Sequence, residues 1–365
     1  MNIAMNSPLG PRVIIAGRER DYFSGTGYLG LHNHPAVLQA AVECIQRYGL
    51  STGTSRGGYG EHPIYEQLDG ELRAFFEVAR ALYVPSGYLG ATILCQGLQG
   101  EFDRLFIDER SHFSVLDAAR AAGKSYHLFA HLDPGDLRMT LARELQPGER
   151  PLVLSDGVFP ISGEIAPLAE LLAVVEPYHG KIALDDAHAA GVLGAHGRGT
   201  ADFFGLRDEQ ILSSATLSKA LGGYGGFVTG SAALIARLER NSRVYIAASP
   251  PPLPAAAASA RALSIARLQP ELRRQLGENV RQARAGLRML GWEMPDTPVP
   301  ILCLGARPGL DLGRIKDELF ARDICAAHVT SYSSTPPGGA LRIAIFANHS
   351  HEQIERLIDE IKKLI

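Results

Sequence analysis

The sequence predicts an α/β fold, with a large domain built on a mostly parallel sheet flanked by helices and a smaller C-terminal α/β domain. Short apolar runs alternate with helical patterns between about residues 80 and 230, and prolines at 250–254 precede a second, shorter strand-and-helix region. Such alternation is typical of a doubly wound sheet. We therefore expect an N-terminal segment of residues 1–40, a large domain of residues 41–248 and a small domain of residues 249–365.

The candidate strands of the large domain are apolar runs at positions 81–84, 105–107, 152–154, 182–184, 211–213 and 226–229. Apolar residues at helical spacing predict helices at 35–48, 114–122 and 168–175. In the small domain we expect strands at 299–304 and 341–345 and helices within 315–321 and 351–364, whereas residues 1–35 read as irregular. Doubly wound sheets bind ligands outside the carboxyl ends of their strands, so the residues after each run form the candidate site.

The composition argues against several classes of function. The 365 residues include 36 Lys and Arg against 39 Asp and Glu, a net charge of −3, so no nucleic-acid partner is expected. The 4 cysteines lie far apart, which gives neither a metal-ligand spacing nor a disulfide framework. Neither a signal peptide nor an apolar stretch long enough for a membrane span is evident, and we expect a soluble cytoplasmic protein.

Two carboxylates and a histidine follow the run at 182–184, as Asp185, Asp186 and His188. A pyridine cofactor needs an acid against its ring nitrogen, because an ionised carboxylate keeps that nitrogen protonated and lets the ring accept electrons from a substrate carbanion. A metal site or a helix cap would use the same residue types. This motif alone leaves the two interpretations about even.

A lysine, Lys219, follows the run at 211–213 in a segment that ends with two glycines. Desolvation in a confined pocket lowers the pKa of a lysine, which can then attack an aldehyde as the free amine. The hydroxyl of Thr216 suits a phosphate. An exposed loop lysine is the commoner explanation for any single lysine, but the acid-bearing strand before Lys219 makes it weaker here.

Three further motifs add weight to a ring-and-phosphate ligand. Ser86, Gly87 and Tyr88 lie between a strand and a helix, where free N–H groups form an anion site suited to a phosphate, although a structural turn would look the same. His112 follows the run at 105–107 and can lie over a flat ring, whereas a lone histidine is more often structural. Arg342, in an apolar strand, needs a planar anion such as a carboxylate, either from a substrate or from an internal salt bridge.

In this order the motifs resemble those of the α-oxoamine synthases, fold-type I pyridoxal 5'-phosphate (PLP) enzymes that include 8-amino-7-oxononanoate synthase, 2-amino-3-ketobutyrate CoA ligase and serine palmitoyltransferase. The resemblance runs from about residue 17 to the C-terminus. Its most specific blocks are Asp185-Asp186-Ala187-His188 and Thr216-Leu217-Ser218-Lys219-Ala220-Leu221-Gly222, with shorter matches at Tyr28-Leu29-Gly30-Leu31, Gly53-Thr54-Ser55-Arg56, Ser86-Gly87-Tyr88, Ser111-His112-Phe113-Ser114 and Leu341-Arg342-Ile343. It implies a mostly parallel sheet of seven strands.

The resemblance also implies roles around PLP. Lys219 would bind its aldehyde as a Schiff base, Asp185 would pair with the pyridine nitrogen, His188 would hydrogen-bond the phenolic oxygen, and His112 would stack on the ring. The phosphate would be held by a second set of residues. That set comprises Ser86, Gly87, Tyr88 and Thr216, with the amides of Gly87 and Tyr88 as donors.

On the substrate side, Arg342 would bind the carboxylate of an amino acid. The family usually has Asn-Asp before Tyr-Leu-Gly, with the Asn helping to hold the amino acid; Thr26 and Gly27 occupy those positions here. Pro160 likewise replaces a serine near the cofactor. Family members are homodimers with the site at the subunit interface, and Ser249 would reach a partner's phosphate. The threonines expected just before Ser249 are Ala247 and Ala248.

The reaction implied is condensation of a small amino acid with an acyl-CoA thioester to an α-amino ketone, with loss of CoA and usually of carbon dioxide. An aminotransferase of the class I/II fold is a serious competitor, because Thr26 and Pro160 alter the substrate side. It would reprotonate the carbanion at the cofactor carbon. A non-catalytic regulatory protein is disfavoured, since Lys219, Asp185 and His188 are all present and no DNA-binding region is appended.

Overall fold

The computed structural model describes residues 4–365. The strands are β1 Arg12–Ile15, β2 Arg18–Tyr22, β3 Arg80–Val84, β4 Arg104–Asp108, β5 Tyr126–Phe129, β6 Pro151–Asp156, β7 Lys181–Asp185, β8 Ile211–Thr216, β9 Gly226–Gly230, β10 Ile301–Gly305, β11 Ile324–Cys325, β12 Ala327–Val329 and β13 Ala340–Ala344. The helices are α1 Pro35–Tyr48, α2 Pro63–Phe76, α3 Gly90–Gly97, α4 Phe113–Ala122, α5 Pro134–Glu144, α6 Leu168–Val175, α7 Thr200–Phe203, α8 Ala232–Asn241, α9 Arg243–Ala247, α10 Leu253–Leu268, α11 Glu271–Met289, α12 Leu312–Ala321 and α13 His351–Leu364.

A seven-stranded sheet forms the centre of the molecule, in the order β3-β9-β8-β7-β6-β4-β5. Strand β9 runs antiparallel to both of its neighbours, and the other neighbouring pairs are parallel. The predicted mostly parallel sheet is therefore confirmed. All six apolar runs lie in its strands, because strands buried on both faces read as continuous apolar stretches.

Strands β1, β2 and β5 are among the elements that were not predicted. Strand β5 lies at the edge of the sheet, and His127 interrupts its sequence, which leaves only Leu128 and Phe129 as an apolar run. Residues 1–35 were expected to be irregular, which is wrong: β1 and β2 form a hairpin whose turn, Ala16 and Gly17, has positive φ at both positions. Such a turn suits a tight hairpin. Strand β1 is only four residues long and β2 is almost wholly polar, so the pair gives little apolar pattern.

Alternating residues of the central strands pack into different layers. Leu105 and Ile107 of β4 contact an apolar cluster that includes residues of α3, α4 and α8, whereas Phe106 belongs to a cluster with residues of α5 and α6. Successive side chains of a strand point to opposite faces, so helices cover both faces of the sheet. This burial fixes the register of the strands and with it the positions of the residues that follow them.

Acidic and hydroxyl side chains converge at the carboxyl edge of the sheet. Asp108, Asp156, Asp185 and Thr216 are the last residues of β4, β6, β7 and β8. Asp156 and Asp185 are direct register partners on neighbouring parallel strands. The fold thus brings two carboxyl groups together at the edge where ligands of such sheets bind.

Two smaller sheets flank this edge. Strand β13, which carries Arg342, lies between β10 and β12 in an antiparallel sheet, and β1, β2 and β11 form the other. The Ala344 N–H donates to the Phe23 carbonyl at 2.8 Å, which links the C-terminal sheet to the chain after β2. In the described part of the chain, residues 4–365, no helix has both the length and the apolar character required to cross a membrane.

Candidate active site

A cavity of about 520 Å³ opens at the carboxyl edge of the central sheet. Its walls come from the loops after β3, β4, β6, β7 and β8, from β13 and from the loop at residues 330–339. The lining residues are Thr26, Ser86, Gly87, Tyr88, His112, Ser114, Asp156, Pro160, Ile161, Asp185, Ala187, His188, Thr216, Ser218, Lys219, Tyr332 and Arg342. Every candidate site residue except Ser249 is therefore in one cavity.

Lys219 follows β8 and points its amine into this cavity. Burial lowers the pKa of Lys219 to about 8, against the opposing influence of the Asp185 and Asp156 carboxyl groups, and the positive charge of Arg342 lowers it further. Desolvation dominates because it penalises the charged ammonium. About a tenth of the amine is consequently unprotonated and nucleophilic at pH 7, and about half near pH 8.

The adjacent carboxyl groups of Asp185 and Asp186 have different surroundings. Asp185 lines the cavity, where its Oδ1 accepts the Ala187 N–H at 3.0 Å. Asp186 points away and accepts hydrogen bonds from Thr200 Oγ1 at 2.6 Å and Ser213 Oγ at 2.9 Å. Burial raises the pKa of Asp186 to about 6. Asp185 is thus available to a ligand, and Asp186 ties the loop after β7 to its neighbours.

His112 caps the N-terminus of α4. Its Nδ1 accepts the Ser114 N–H at 3.1 Å, and the main-chain N–H of His112 donates to Asp156 Oδ2 at 2.7 Å. Its Nε2 lies 2.7 Å from the hydroxyl of Tyr332. Burial lowers the pKa of His112, and the Lys219 charge adds to this, while Asp185 acts in the opposite direction. The imidazole is therefore neutral and held in a fixed orientation over the cavity.

His188, Tyr28 and Arg342 form a buried chain of contacts. The Tyr28 hydroxyl lies 2.8 Å from His188 Nδ1, and Arg342 Nη2 donates to that hydroxyl at 3.2 Å. Burial lowers the pKa of His188 well below its ordinary value, and burial also raises the pKa of Tyr28. Both side chains are therefore uncharged, with the imidazole anchored on its Nδ1 side.

The guanidinium of Arg342 bonds to main-chain oxygens rather than to a carboxylate. Nε donates to the Pro160 carbonyl at 2.7 Å and Nη1 to the Gly25 carbonyl at 3.1 Å. Within residues 4–365, no Asp or Glu lies at salt-bridge distance from it. The cation is buried and oriented, which favours an anionic ligand over an internal ion pair.

The segment Gly87–Leu89 forms a single 3₁₀ turn that leads into α3. A Cβ on Gly87 would lie 2.8 Å from the Thr216 Cβ, so only glycine allows this approach of the backbone. The Tyr88 N–H donates to Ser86 Oγ at 3.2 Å, and Thr216 Oγ1 donates to the Gly225 carbonyl at 2.8 Å. The expected phosphate ligands are thus adjacent, with the Tyr88 amide and the Thr216 hydroxyl engaged in local bonds.

Comparison with known proteins adds an independent observation. The model of the family described as aminotransferase class I and II matches residues 24–361. The chain belongs to this family. It is 36% identical to the 8-amino-7-oxononanoate synthase of Methylococcus capsulatus over 98% of the chain and 92% of that protein, and 34% identical to the enzyme of the same name from Thioalkalivibrio sulfidiphilus over 97% and 90%.

A solved structure also resembles this chain over nearly its whole length. A serine palmitoyltransferase structure that holds PLP superposes with a TM-score of 0.92 at 25% identity, and the match covers 99% of this chain and 92% of that one. Both 8-amino-7-oxononanoate synthase and serine palmitoyltransferase are α-oxoamine synthases, so the resemblance expected from the motifs is confirmed. The fold-type I architecture is confirmed with it.

Several cavity residues were missed by the motifs. Asp156 ends an apolar strand just as Asp185 does, and the rule that residues after strands form the site would have found it. Ser114 lies two positions after His112, within a recognised motif. Tyr332 carries no sequence signal, because it reaches His112 from a loop 220 positions away.

Proposed function

We propose that this chain is a PLP-dependent C-acyltransferase that condenses a small amino acid with an acyl-CoA thioester to an α-amino ketone. The observation that carries the proposal is the cavity shared by Lys219, Asp185 and Arg342. This supports the proposal, because the amine would attack an aldehyde, the acid would pair with a pyridine nitrogen and the cation would bind a carboxylate. The similarity to 8-amino-7-oxononanoate synthases over nearly the whole chain supports this reaction.

The residues of the cavity fit PLP. Gly87 leaves its backbone open beside Thr216, in a space that any side chain would fill. In the 3₁₀ turn that leads into α3, the Leu89 and Gly90 N–H groups donate to main-chain carbonyls and the Tyr88 N–H donates to Ser86 Oγ. A phosphate would therefore take the Tyr88 N–H from Ser86 Oγ. Ser86, Gly87, Tyr88 and Thr216 would hold the phosphate, Asp185 the ring nitrogen, and the Nε2 side of His188 the phenolic oxygen.

When bound, PLP supplies an aldehyde for the amino groups and a ring that accepts electrons from the α-carbon of the substrate. Arg342 then binds the substrate carboxylate with its remaining N–H groups, and His112 covers one side of the reacting atoms. The amine of Lys219, with its lowered pKa, takes the proton from the α-carbon. Thr26 and Pro160 border the carboxylate position and shape the choice of amino acid.

The experiment that tests the reaction mixes the PLP-loaded protein with glycine, alanine and serine in turn, and then with acyl-CoA thioesters of increasing chain length. Thioester-dependent release of free CoA, with an amino ketone as product, is the expected result. Formation of pyridoxamine phosphate and a keto acid without release of CoA would instead establish an aminotransferase. The Lys219→Ala variant is the control: it should lose the visible absorbance of the bound cofactor and the activity together.

We also propose a homodimer with the active site at the subunit interface. Helix α1 exposes an apolar face, with Leu38, Val42 and Ile45 each 45–47% exposed, which is the kind of surface that a partner covers. Ser249 is exposed and lies outside the cavity of its own chain, so it is free to serve the site of a partner. Sedimentation should give a dimer, and Val42→Glu should shift it towards monomer; a monomeric parent protein would contradict the proposal.

A cytoplasmic location is the last part of the proposal. The four cysteines, Cys44, Cys95, Cys303 and Cys325, are free thiols, and all but Cys303 are buried. Free thiols suit a reducing compartment. Cell fractionation with an antibody against the chain tests it, and recovery from a secreted or periplasmic fraction would contradict it.

A further inference from the structure

The hydroxyl of Tyr332 lies at the rim of the active-site cavity. Tyr332 belongs to the loop at residues 330–339, between β12 and β13, and is 40% exposed, whereas Arg342 further along the chain is only 6% exposed. Its ring packs edge-on against Phe113 with 5.2 Å between ring centroids. This contact holds the phenol between the cavity and solvent. The proposed function assigns Tyr332 neither to PLP nor to the amino-acid substrate.

The hydrogen bonds of His112 decide what Tyr332 can donate. Nδ1 of His112 accepts the Ser114 N–H at 3.1 Å, and the Ser114 hydroxyl, 2.7 Å away, then donates to the same nitrogen, so the neutral imidazole carries its proton on Nε2. That N–H donates to Tyr332 Oη at 2.7 Å. The phenolic hydrogen is then free for a further acceptor. Burial raises the pKa of Tyr332, with Asp156 adding to the effect, so this hydrogen is retained at neutral pH.

We propose that Tyr332 is a catalytic residue of the acyl-transfer step and that its hydroxyl donates a hydrogen bond to the thioester carbonyl oxygen. This inference rests on the proposed function and deepens it. The electron pair at the amino-acid α-carbon forms the new C–C bond, and the carbonyl π pair moves to oxygen. When that oxyanion collapses, the C–S bond breaks and the thiolate leaves, taking a proton from solvent to become CoA–SH.

The position of the phenol selects the thioester rather than the amino acid. The amino-acid carboxylate is assigned to the buried Arg342, while Tyr332 stands at the exposed rim, where the second and larger substrate enters. A donor that is already fixed by His112 and Phe113 stabilises a developing oxyanion without reorganising during the reaction. The His112 N–H that points at the phenol oxygen further strengthens the phenol as a donor.

The test compares Tyr332→Phe with the unchanged protein in two assays on the PLP-loaded enzyme. One assay follows exchange of the α-proton of alanine, glycine or serine with deuterated water in the absence of thioester. The other follows CoA release with acetyl-, hexanoyl- and palmitoyl-CoA. We expect kcat for CoA release to fall by about 100- to 1000-fold, since single oxyanion donors contribute on this scale, while α-proton exchange and the amino-acid KM stay within about twofold.

Tyr178→Phe provides the matched control, because Tyr178 lies in the turn before β7, at the opposite edge of the sheet from the cavity. It should leave both assays unchanged. Normal CoA release in Tyr332→Phe, or an equal loss in both assays, would overturn the assignment of Tyr332. Proton exchange by the unchanged protein without CoA release from any of the three thioesters would instead overturn the proposed function and this inference with it.

Discussion

The hydroxyl of Tyr28 lies 2.8 Å from Nδ1 of His188, across 160 positions of sequence. Arg342 Nη2 donates to the same hydroxyl, so the phenolic hydrogen is left for His188. The imidazole then carries its own hydrogen on Nε2, because a neutral histidine has one donor and one acceptor nitrogen. A residue outside the cavity wall thereby sets which nitrogen of His188 can donate to a ligand.

Tyr28→Phe removes this hydrogen bond and leaves Nδ1 of His188 buried without a partner. We expect a loss of about 1–3 kcal/mol in the free energy of unfolding and weaker binding of PLP, because His188 no longer has a fixed tautomer. Urea denaturation and titration of the cofactor into the apoprotein measure the two effects. Tyr83→Phe is the matched control, since Tyr83 is equally buried and donates to the Tyr224 carbonyl at 2.9 Å. An equal loss of cofactor affinity in both variants would refute the role of Tyr28.

Asp185→Asn and Asp186→Asn test two neighbouring carboxyl groups with different surroundings. Asp185 lines the cavity, so its substitution should lower turnover by about 100-fold or more, since the ring nitrogen loses its acid, with little change in unfolding. Asp186 accepts from Thr200 and Ser213, so its substitution should mainly destabilise the fold. Steady-state kinetics and urea denaturation on both variants separate the outcomes. A reversal of the two phenotypes would show that the carboxyl groups had been assigned wrongly.

Attachment of PLP to the apoprotein should follow the ionisation of Lys219. Burial lowers the pKa of this amine from 10.5 to about 8, and only the unprotonated amine attacks an aldehyde. The attachment rate should therefore rise with pH, by about tenfold per unit below the pKa, and level off above about 8. Stopped-flow absorbance of the apoprotein mixed with PLP measures the profile, with a free lysine derivative as the reference. A midpoint near that of the reference would contradict the lowered pKa.

Much of this site could be predicted from sequence, because it follows from one regularity of the fold. Asp185 and Lys219 each come directly after a buried apolar strand, and parallel strands deliver such residues to the same edge. Contacts such as Tyr332 with His112 and Arg342 with Tyr28 join positions 220 and 314 apart. Nothing local encodes them, since they depend on how β13 and its preceding loop pack against the large sheet.

Gly87→Ala tests the phosphate position. The added Cβ would lie 2.8 Å from Thr216 Cβ and 3.1 Å from its Oγ1, so the turn or Thr216 must move. We expect PLP affinity to fall by at least about tenfold, a change of about 1.4 kcal/mol, with a smaller change in affinity for the amino acid. Gly70→Ala is the control, because Gly70 lies within α2 with open space around it. That variant should keep its PLP affinity and gain about 0.4–1 kcal/mol in stability.

His131 lies between Asp108 and Glu164, with Nδ1 2.8 Å from Asp108 Oδ1 and Nε2 3.1 Å from Glu164 Oε2. Despite burial, these two hydrogen-bonded carboxylates raise the pKa of His131 to about 9. The folded protein thus binds a proton more tightly than the unfolded chain, whose histidine has its ordinary pKa of 6.5. The resulting stabilisation is complete below about pH 6.5 and is lost as the pH rises through about 9.

His131→Gln should remove this part of the pH dependence. The free energy of unfolding of the unchanged protein should fall more steeply between pH 7 and 9.5 than that of the variant, because only the unchanged protein must release a proton held by Asp108 and Glu164. Urea denaturation at several pH values, with PLP absent from both proteins, measures the two slopes. Parallel slopes would mean that His131 is already neutral at pH 7, and would contradict the raised pKa that its contacts with Asp108 and Glu164 imply.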